Sequence, residues 1–365
     1  MENTRKLKST MKTGLMAWVV ALAVVPVHAA ENQTMTGAGS SAAAPIYRSW
    51  AGEYRKESGV SLAYESVGSS AGLKKIRAGE TGFGASDVAP PASELARDGL
   101  ALFPIAITGI APVVHLPRGV ENPVRLSGDV LARIFLGEVT RWNAQEIVQL
   151  NPGTALPDLA IKVVVRSDGS GTTYNFTDYL AKVNANWKER YGVKTSVAWP
   201  AGFVAVKGSE GVVKSVQETL GAIGYVDYGY VRDNKLHPVH MKNAAGDFMA
   251  PSIDAFRAAM NNSEWVSRGE FTATLTDKPG AGVWPITMGT FVVVPLVSAR
   301  PEQTQAALQF FVWALMNGDA LVQKNNFVRL PDRVQAMAFK VMTSVRDKSG
   351  HPFSLSLMRV SSSSN

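Results

Sequence analysis

Three loops rich in glycine and hydroxyl side chains interrupt this chain, each between an extended apolar run and a helix-like run. They are residues 36–42 (TGAGSSA), 68–72 (GSSAG) and 166–173 (RSDGSGTT). Repeated strand–loop–helix units predict an α/β fold with helices on the faces of a sheet. The strand candidates are residues 60–64, 103–107, 161–165 and 291–294, and the helix candidates are residues 47–56, 127–135, 209–220 and 303–316.

The length of 365 residues exceeds the size at which a single hydrophobic core usually stops growing. Two lobes are therefore expected. The stretches 107–110 and 284–287 are the two places where the chain can cross between them. These crossings predict one lobe from residues 30–108 plus 284–355, and a second from residues 109–283.

The first 29 residues have the composition of a secretory signal peptide. Arg5, Lys6, Lys8 and Lys12 precede an apolar run that ends in small residues, with cleavage after Ala29 or Ala30. A membrane anchor needs about 20 apolar residues, and Pro26 and His28 close this run too early. We expect export to the periplasm. The serine-rich end, residues 356–365, is expected to be a disordered tail.

Composition excludes several classes of protein. The chain has no cysteine, which excludes thiol catalysis, zinc held by thiolates and iron–sulfur clusters. Residues 1–29 carry four basic side chains and one acid, so their removal lowers the net charge from +7 to +4. That charge is too small and too dispersed for a nucleic-acid partner. We expect no metal and no cofactor.

The three loops share the chemistry of an anion site. Glycine lets the backbone approach a ligand closely, serine and threonine hydroxyls donate hydrogen bonds, and N–H groups at a helix start point towards negative charge. One such loop is ordinary turn chemistry. Three of them, with Arg166 on one, predict a cage for an oxyanion.

Each loop also has a different interpretation. Gly37, Gly39 and Ala42 fit the start of a dinucleotide fingerprint, but a lone match of this kind is weak. The third loop lacks the lysine of a nucleotide-phosphate loop, and Ser170 or Thr172 could simply cap a helix.

The second loop fits the G-x-S-x-G pattern of a serine hydrolase, with Ser70 as nucleophile. The histidines that follow Ser70 stand in no recognisable catalytic context, and two of them, His237 and His240, have no metal-ligand partners nearby in the sequence. The histidines after Ser70 are His115, His237, His240 and His351.

A fourth segment, residues 83–88 (FGASDV), ends a short apolar strand in an acid, Asp87. This acid could cap the helix that begins near Ser93 or face solvent in a turn. In an anion site it would repel the ligand, unless the ligand carries a proton that the carboxylate accepts. Phosphate carries such a proton at neutral pH and sulfate does not. Asp87 therefore predicts selection of phosphate over sulfate.

These segments together resemble the periplasmic phosphate-binding protein of the high-affinity phosphate ABC transporter. The matching motifs are T-G-A-G-x-x-x-x-A-P-x-Y at residues 36–47, G-S-S at 68–70, F-G-A-S-D at 83–87 and R-x-D-G-S-G-T at 166–172. Further similar stretches extend the resemblance from about Thr36 to about Pro352. It implies a two-lobed periplasmic-binding-protein fold of type II, with the ligand in the cleft between the lobes.

The resemblance also implies roles for individual residues. The first loop would bind phosphate through Ser40, Ser41 and the N–H of Ala42, and the second through the hydroxyl and N–H of Ser69. Asp87 would accept the phosphate proton and Arg166, steadied by Asp168, would supply positive charge. Ser170, Gly171 and Thr172 would complete the cage at a helix start. The implied partners are inorganic phosphate and the permease subunits of an inner-membrane ABC transporter, and we expect a monomer that is not an enzyme.

One departure from the family pattern concerns the first loop. The family commonly has Thr-Phe-Pro where this chain has Ser41-Ala42-Ala43. Serine keeps the hydroxyl, whereas loss of the aromatic ring removes cover over the ligand. The affinity for phosphate could therefore be lower than in the family. Two alternative functions stay open: a binding protein for a different tetrahedral oxyanion, and a serine hydrolase that uses Ser70.

Overall fold

A computed structural model describes residues 34–120 and 122–356. The predicted signal peptide and residues 357–365 of the predicted tail lie outside this part of the chain. Within it, no helix combines the length and the apolar character needed to cross a membrane.

Strands and helices alternate along most of the chain, as the sequence predicts. The strands are β1 (Thr34–Gly39), β2 (Ser61–Ser66), β3 (Phe83–Ser86), β4 (Leu100–His115), β5 (Arg125–Leu126), β6 (Lys162–Arg166), β7 (Val204–Val206), β8 (Ala222–Asp227), β9 (His237–Pro238), β10 (His240–Lys242), β11 (Phe248–Met249), β12 (Thr287–Pro295), β13 (Val297–Ser298) and β14 (Arg346–Asp347). The helices are α1 (Ala44–Ser58), α2 (Ser69–Arg77), α3 (Ala92–Arg97), α4 (Gly128–Phe135), α5 (Gln145–Leu150), α6 (Gly171–Val183), α7 (Ala185–Arg190), α8 (Gly208–Glu218), α9 (Tyr228–Asp233), α10 (Ile253–Asn261), α11 (Glu264–Ser267), α12 (Pro301–Asn317), α13 (Asp319–Lys324) and α14 (Asp332–Met342).

The main sheet runs in the order β2-β1-β3-β12-β4-β8-β6-β7, with β9 also paired to β4. At one end, β1 is parallel to both β2 and β3. At the other end, β6 is parallel to both β7 and β8. Each end therefore presents a row of parallel strands whose carboxyl ends open at one edge, which is where ligands bind in open α/β sheets.

Strand β4 belongs to both ends of the sheet. Its first part, as far as Gly109, pairs with β12, and its second part, from Ile110, pairs with β8. The switch of partner falls within the predicted crossing at residues 107–110. The second predicted crossing lies beside it, because the N–H of Ile110 donates to the carbonyl of Ile286 at 2.7 Å.

Apolar side chains pack on both ends of the sheet as parts of one continuous core. Near β1 and β3, Tyr47 of α1 contacts Phe83 and Phe311, with ring centroids 5.6 and 5.9 Å away. Near β6 and β8, Phe176 of α6 stacks on Tyr225 at 4.2 Å. These side chains are fully or almost fully buried, so each end of the sheet carries its own aromatic centre.

The predicted helix and strand segments are confirmed, with longer boundaries in several cases. Helix α1 begins before the predicted start because Pro45 occupies its first turn, where proline is favoured. It ends at Gly59, whose φ of 74° is the left-handed conformation that commonly stops a helix.

Candidate anion-binding site

The four predicted binding segments all follow the carboxyl ends of parallel strands. Ser40 follows β1, Asp87 follows β3, and the loop that holds Ser69 follows β2. Arg166 is the last residue of β6, at the other end of the sheet. The sheet thus supplies both groups of loops from its two parallel rows.

Ser40 joins the first loop to the carboxylate of Asp87. Its hydroxyl donates to Asp87 Oδ2 at 2.6 Å and accepts from the N–H of Ala43 at 3.1 Å. The turn into this loop requires Gly39, because its φ is 144° and a Cβ there would lie 1.9 Å from the carbonyl oxygen of Ala85.

Ser69 links the second loop to the turn that holds Asp87 and to the third loop. Its hydroxyl oxygen accepts from the N–H of Asp87 and from the N–H of Gly171, each at 3.2 Å. A hydroxyl has a single proton to donate, and neither of these contacts uses it. Ser69 therefore keeps a donor for an acceptor placed beside it.

Asp87 is buried, with 3% of its surface exposed. Burial raises the pKa of its carboxyl, while hydrogen bonding with Ser40 and Thr290 and the charge of Arg166 oppose that rise. The alternative role as a helix cap is wrong, because Pro91 occupies the cap position of α3. The backbone carbonyl of Asp87 accepts from Asn175 Nδ2 at 2.7 Å, which ties the turn to α6.

Arg166 is held by Asp168 through two parallel hydrogen bonds. Its Nε donates to Oδ1 at 2.7 Å and its second terminal nitrogen donates to Oδ2, and the Arg166 side chain is only 2% exposed. Burial tends to raise the pKa of Asp168, but the bonds and charge of Arg166 and the N–H of Gly208 hold it below its usual range. The pair fixes the aim of the guanidinium.

Helix α6 begins at the site. Ser170 caps it by accepting from the N–H of Thr173 at 3.1 Å, as one interpretation of the sequence predicted. Gly171 lies where a Cβ would be 2.4 Å from Ser69 Oγ and 2.7 Å from Asp87 Cβ. Thr172 is buried one residue further on. The helix dipole adds partial positive charge at this point.

Ser41 lies in a different contact from Ser40. Its hydroxyl is 2.9 Å from that of Ser209, at the start of α8, and its carbonyl accepts from the Tyr230 hydroxyl at 3.0 Å. Ala42 is buried beside it. The sequence analysis missed Ser209, although the glycine-then-serine pattern at 208–209 is the same signal that marked the other loops.

Among the residues named by the other interpretations, Ser70 lies beside the third loop, whereas the histidines lie on other elements. Ser70 is the second residue of α2, and its N–H donates to the carbonyl of Gly169 at 3.0 Å. His115 ends β4, His237 and His240 lie on β9 and β10, and His351 contacts Asp347. In residues 34–120 and 122–356, no cluster of three or more His, Asp or Glu side chains could hold a metal ion.

A family model and individual relatives both match this chain. A model of the PBP superfamily domain matches residues 25–314. The phosphate-binding protein PstS of Pasteurella multocida is 42% identical over 321 residues, which cover 88% of this chain and 93% of that protein. The PstS of Xylella fastidiosa strain Temecula1 is 42% identical over 297 residues, 81% of each chain.

Solved structures show the same architecture. A high-affinity periplasmic phosphate-binding protein, solved with bound phosphate, aligns with a TM-score of 0.65 and 22% identity, covering 88% of this chain and all of that one. The predicted α/β fold of two-lobed periplasmic binding proteins is thereby confirmed. From the matched model and the two relatives, this chain belongs to the PBP superfamily and, within it, to the family of phosphate-binding proteins PstS.

Proposed function

We propose that this protein captures inorganic phosphate in the periplasm and delivers it to an ABC permease for import. The observation that carries this proposal is the convergence of Ser40, Ser69 and the start of α6 on one buried carboxylate, Asp87. Such a site offers many donors and a single acceptor, which matches a tetrahedral anion that bears one proton. The family consists of binding proteins, which argues against the serine hydrolase alternative.

We assign the ligand contacts as the resemblance implies. The residues assigned to contact phosphate are Ser40, Ser41, Ala42, Ser69, Arg166, Ser170, Gly171 and Thr172. Asp87 accepts the phosphate proton and Asp168 positions Arg166. Because these residues are buried, each hydrogen bond would form away from competing water.

The two lobes consist of residues 30–108 plus 284–355 and residues 109–283 in this proposal. The change of partner within β4 supports the first boundary, and the neighbouring contact between Ile110 and Ile286 supports the second. Residues 34–120 and 122–356 nevertheless form one compact grouping. That grouping fits lobes closed over the site.

Capture by a protein of this family would take place after export, as a monomer, in the periplasm. The related high-affinity protein is described as periplasmic. The signal-like composition of residues 1–29 and the mild charge of the remaining chain agree with this location. The proposed membrane partners are the permease subunits of the transporter.

A titration with phosphate, arsenate and sulfate at several pH values tests the proposal, with tryptophan fluorescence as the signal. Phosphate should bind with micromolar or tighter affinity, and sulfate should compete poorly. The Asp87→Asn variant should bind phosphate about 10- to 100-fold more weakly, because it loses a charge-assisted hydrogen bond, and should discriminate less against sulfate.

Two controls separate the alternatives. Ser70→Ala should bind phosphate as the parent does, since its role would be catalytic only in a hydrolase. If sulfate competes as well as phosphate in the unmodified protein, the ligand is another oxyanion and the role given to Asp87 is wrong.

A further inference from the structure

Three buried polar atoms, one of them on Asp87 itself, lie close together and lack a hydrogen bond of normal geometry. They are the Tyr47 hydroxyl on α1, Thr290 Oγ1 on β12 and Asp87 Oδ1 in the turn after β3. Tyr47 and Thr290 have no solvent exposure, so water from outside does not reach them. Buried polar groups are almost always paired, and three unpaired ones in one place need a common explanation.

Pairing of strands β3 and β12 brings Thr290 near Asp87. The two strands are antiparallel, with Phe291 opposite Ser86 and Val292 opposite Ala85. Thr290 precedes Phe291 on β12, and Asp87 follows Ser86 directly after β3. The Thr290 hydroxyl is close enough to the Asp87 carboxyl to act on its pKa as a hydrogen-bonding group.

Tyr47 reaches the same place from the helix above. Its ring lies 5.6 Å from the ring of Phe83, measured between centroids. Burial raises the pKa of Tyr47, the negative charge of Asp87 raises it further, and hydrogen bonding with Thr290 opposes the rise. The Tyr47 hydroxyl therefore lies close to both Thr290 and Asp87.

We propose that Tyr47 and Thr290 form a hydroxyl chain that ends on Asp87 and fixes its carboxylate as the acceptor of the ligand's proton. This inference rests on the proposed function of the site. Tyr47 donates to Thr290, and Thr290 donates to Asp87 Oδ1.

The hydrogen bonds of this hydroxyl chain can run in one direction only. An ionised carboxylate only accepts hydrogen bonds, so the single proton of Thr290 must point towards Asp87. The oxygen of Thr290 is then an acceptor for Tyr47, whose hydroxyl keeps its proton because burial raises its pKa well above the usual value.

The other charged and titratable groups that act on Asp87 come from every element around it. Arg166 of β6 favours the ionised form. Asp227 at the end of β8 and Tyr64 of β2 also interact electrostatically with Asp87. Arg166 is the single cation in this group, and Asp227 would oppose it when ionised. Neutral donors such as Thr290 therefore matter for keeping Asp87 charged.

Loss of the Thr290 donor should raise the pKa of Asp87. Phosphate binding should then weaken at a higher pH than in the parent, because a protonated Asp87 no longer accepts the ligand's proton. The protonated carboxyl can instead donate to a fully ionised anion. Rejection of sulfate should therefore weaken in the same variant.

The test compares Thr290→Val with three other variants, using phosphate and sulfate titrations from pH 5 to 9. In Thr290→Val, the pH at which phosphate affinity falls on acidification should rise by about one unit. The ratio of phosphate affinity to sulfate affinity should fall about tenfold. Thr290→Ser should restore the parent profile. Tyr47→Phe should shift it in the same direction by less, since Tyr47 acts through Thr290.

Thr81→Val is the matched control. Thr81 also has a buried hydroxyl without a partner, but it lines a different cavity, together with Asp98 and Arg300. This variant should keep the parent's pH profile and anion preference. An unshifted pH dependence and an unchanged ratio of phosphate to sulfate affinity in Thr290→Val would overturn the hydroxyl chain alone, whereas absence of phosphate binding by the parent would overturn the proposed function.

Discussion

At Gly171 three of the predicted segments come close together. A methyl group at this position would overlap both the Ser69 hydroxyl and the Asp87 side chain. Neither neighbour can retreat freely, because Ser69 accepts two backbone hydrogen bonds and Asp87 is held by Ser40. The smallest residue is thus required by the ligand cage itself rather than by helix geometry.

Gly171→Ala should therefore damage binding more than folding. We expect phosphate affinity to fall by at least about tenfold, with a loss of about 1–3 kcal/mol in the free energy of unfolding from overpacking. Isothermal titration and urea unfolding measure the two effects. The control is Gly52→Ala on α1, where a Cβ meets nothing within 4 Å.

Gly52→Ala should leave affinity unchanged and raise the free energy of unfolding by up to about 1 kcal/mol, because alanine favours a helix more than glycine does. Equal phosphate affinity in Gly171→Ala and the parent would contradict the close approach of the loops.

Most of the site residues could be predicted from the sequence because each sits in a short local pattern. Ser40, Ser69 and Ser170 each lie next to a glycine at a strand end or a helix start, and Asp87 ends a short run of small residues after a strand. Thr290 follows Gly289 but lies inside the strand β12, where the sequence gives no sign of a site. Only the pairing of β12 with β3 brings it near Asp87, and strand pairing is not visible in one sequence.

Asp227 joins two elements, because it ends β8 and caps α9. It accepts from Thr108 Oγ1 of β4 at 2.6 Å and from the N–H of Gly229 at 2.9 Å. Burial raises its pKa from 3.8 to about 7. The folded protein therefore retains a proton that the unfolded chain releases between about pH 4 and pH 7.

This difference predicts that stability falls as pH rises through that window, because the folded state binds more protons there. Asp227→Asn cannot ionise and should lack this loss. Relative to the parent it should gain a few kcal/mol at most between pH 4 and pH 8, measured by urea unfolding. Asp247→Asn, at an exposed acid in the turn between β10 and β11, should keep the parent's pH dependence.

If the parent and Asp227→Asn lose stability in parallel over this range, the carboxyl of Asp227 is not the group responsible. A steeper loss of stability with rising pH in Asp227→Asn than in the parent would contradict a raised pKa for Asp227.

Among the elements, β4 was the least predictable. A strand was predicted at residues 103–107, whereas β4 runs from Leu100 to His115. Gly109, within the predicted crossing at residues 107–110, is needed because a Cβ there would lie 2.0 Å from the ring of Phe256 on α10. A tertiary contact decided the identity of that residue, so no local pattern could reveal it.

At the scale of the molecule, the first loop is attached to the far end of the sheet. Ser41 contacts Ser209 and Tyr230, and Arg48 of α1 lies 3.6 Å from Glu210 of α8. These contacts connect elements on β1 with elements on β6 and β8. They should hold the two proposed lobes together while phosphate is bound.

Ser209→Ala should therefore release phosphate faster. One neutral hydrogen bond corresponds to about a 2- to 10-fold loss of affinity, expressed mainly in the dissociation rate. Stopped-flow fluorescence can follow release, with Trp199 as a local reporter because its Nε1 donates to the carbonyl of Arg166. An unchanged dissociation rate would show that this contact does not hold the closed form.

Ser127→Ala is the control for helix capping alone. Ser127 caps α4 by accepting from the N–H of Val130 at 3.2 Å. Its loss should lower the free energy of unfolding by about 1 kcal/mol and leave the release rate as in the parent.

The change of partner within β4 constrains how the protein opens. Ile107 exchanges backbone hydrogen bonds with Val328 on one side, and Ile110 bonds Ile286 on the other, so the peptide units between them are braced laterally. A braced ribbon of this kind bends out of its own plane more easily than it shears within it. We expect the proposed lobes to open by hinge bending about this part of β4. Such a motion would expose a bound anion from one side only, so that it leaves by a single route.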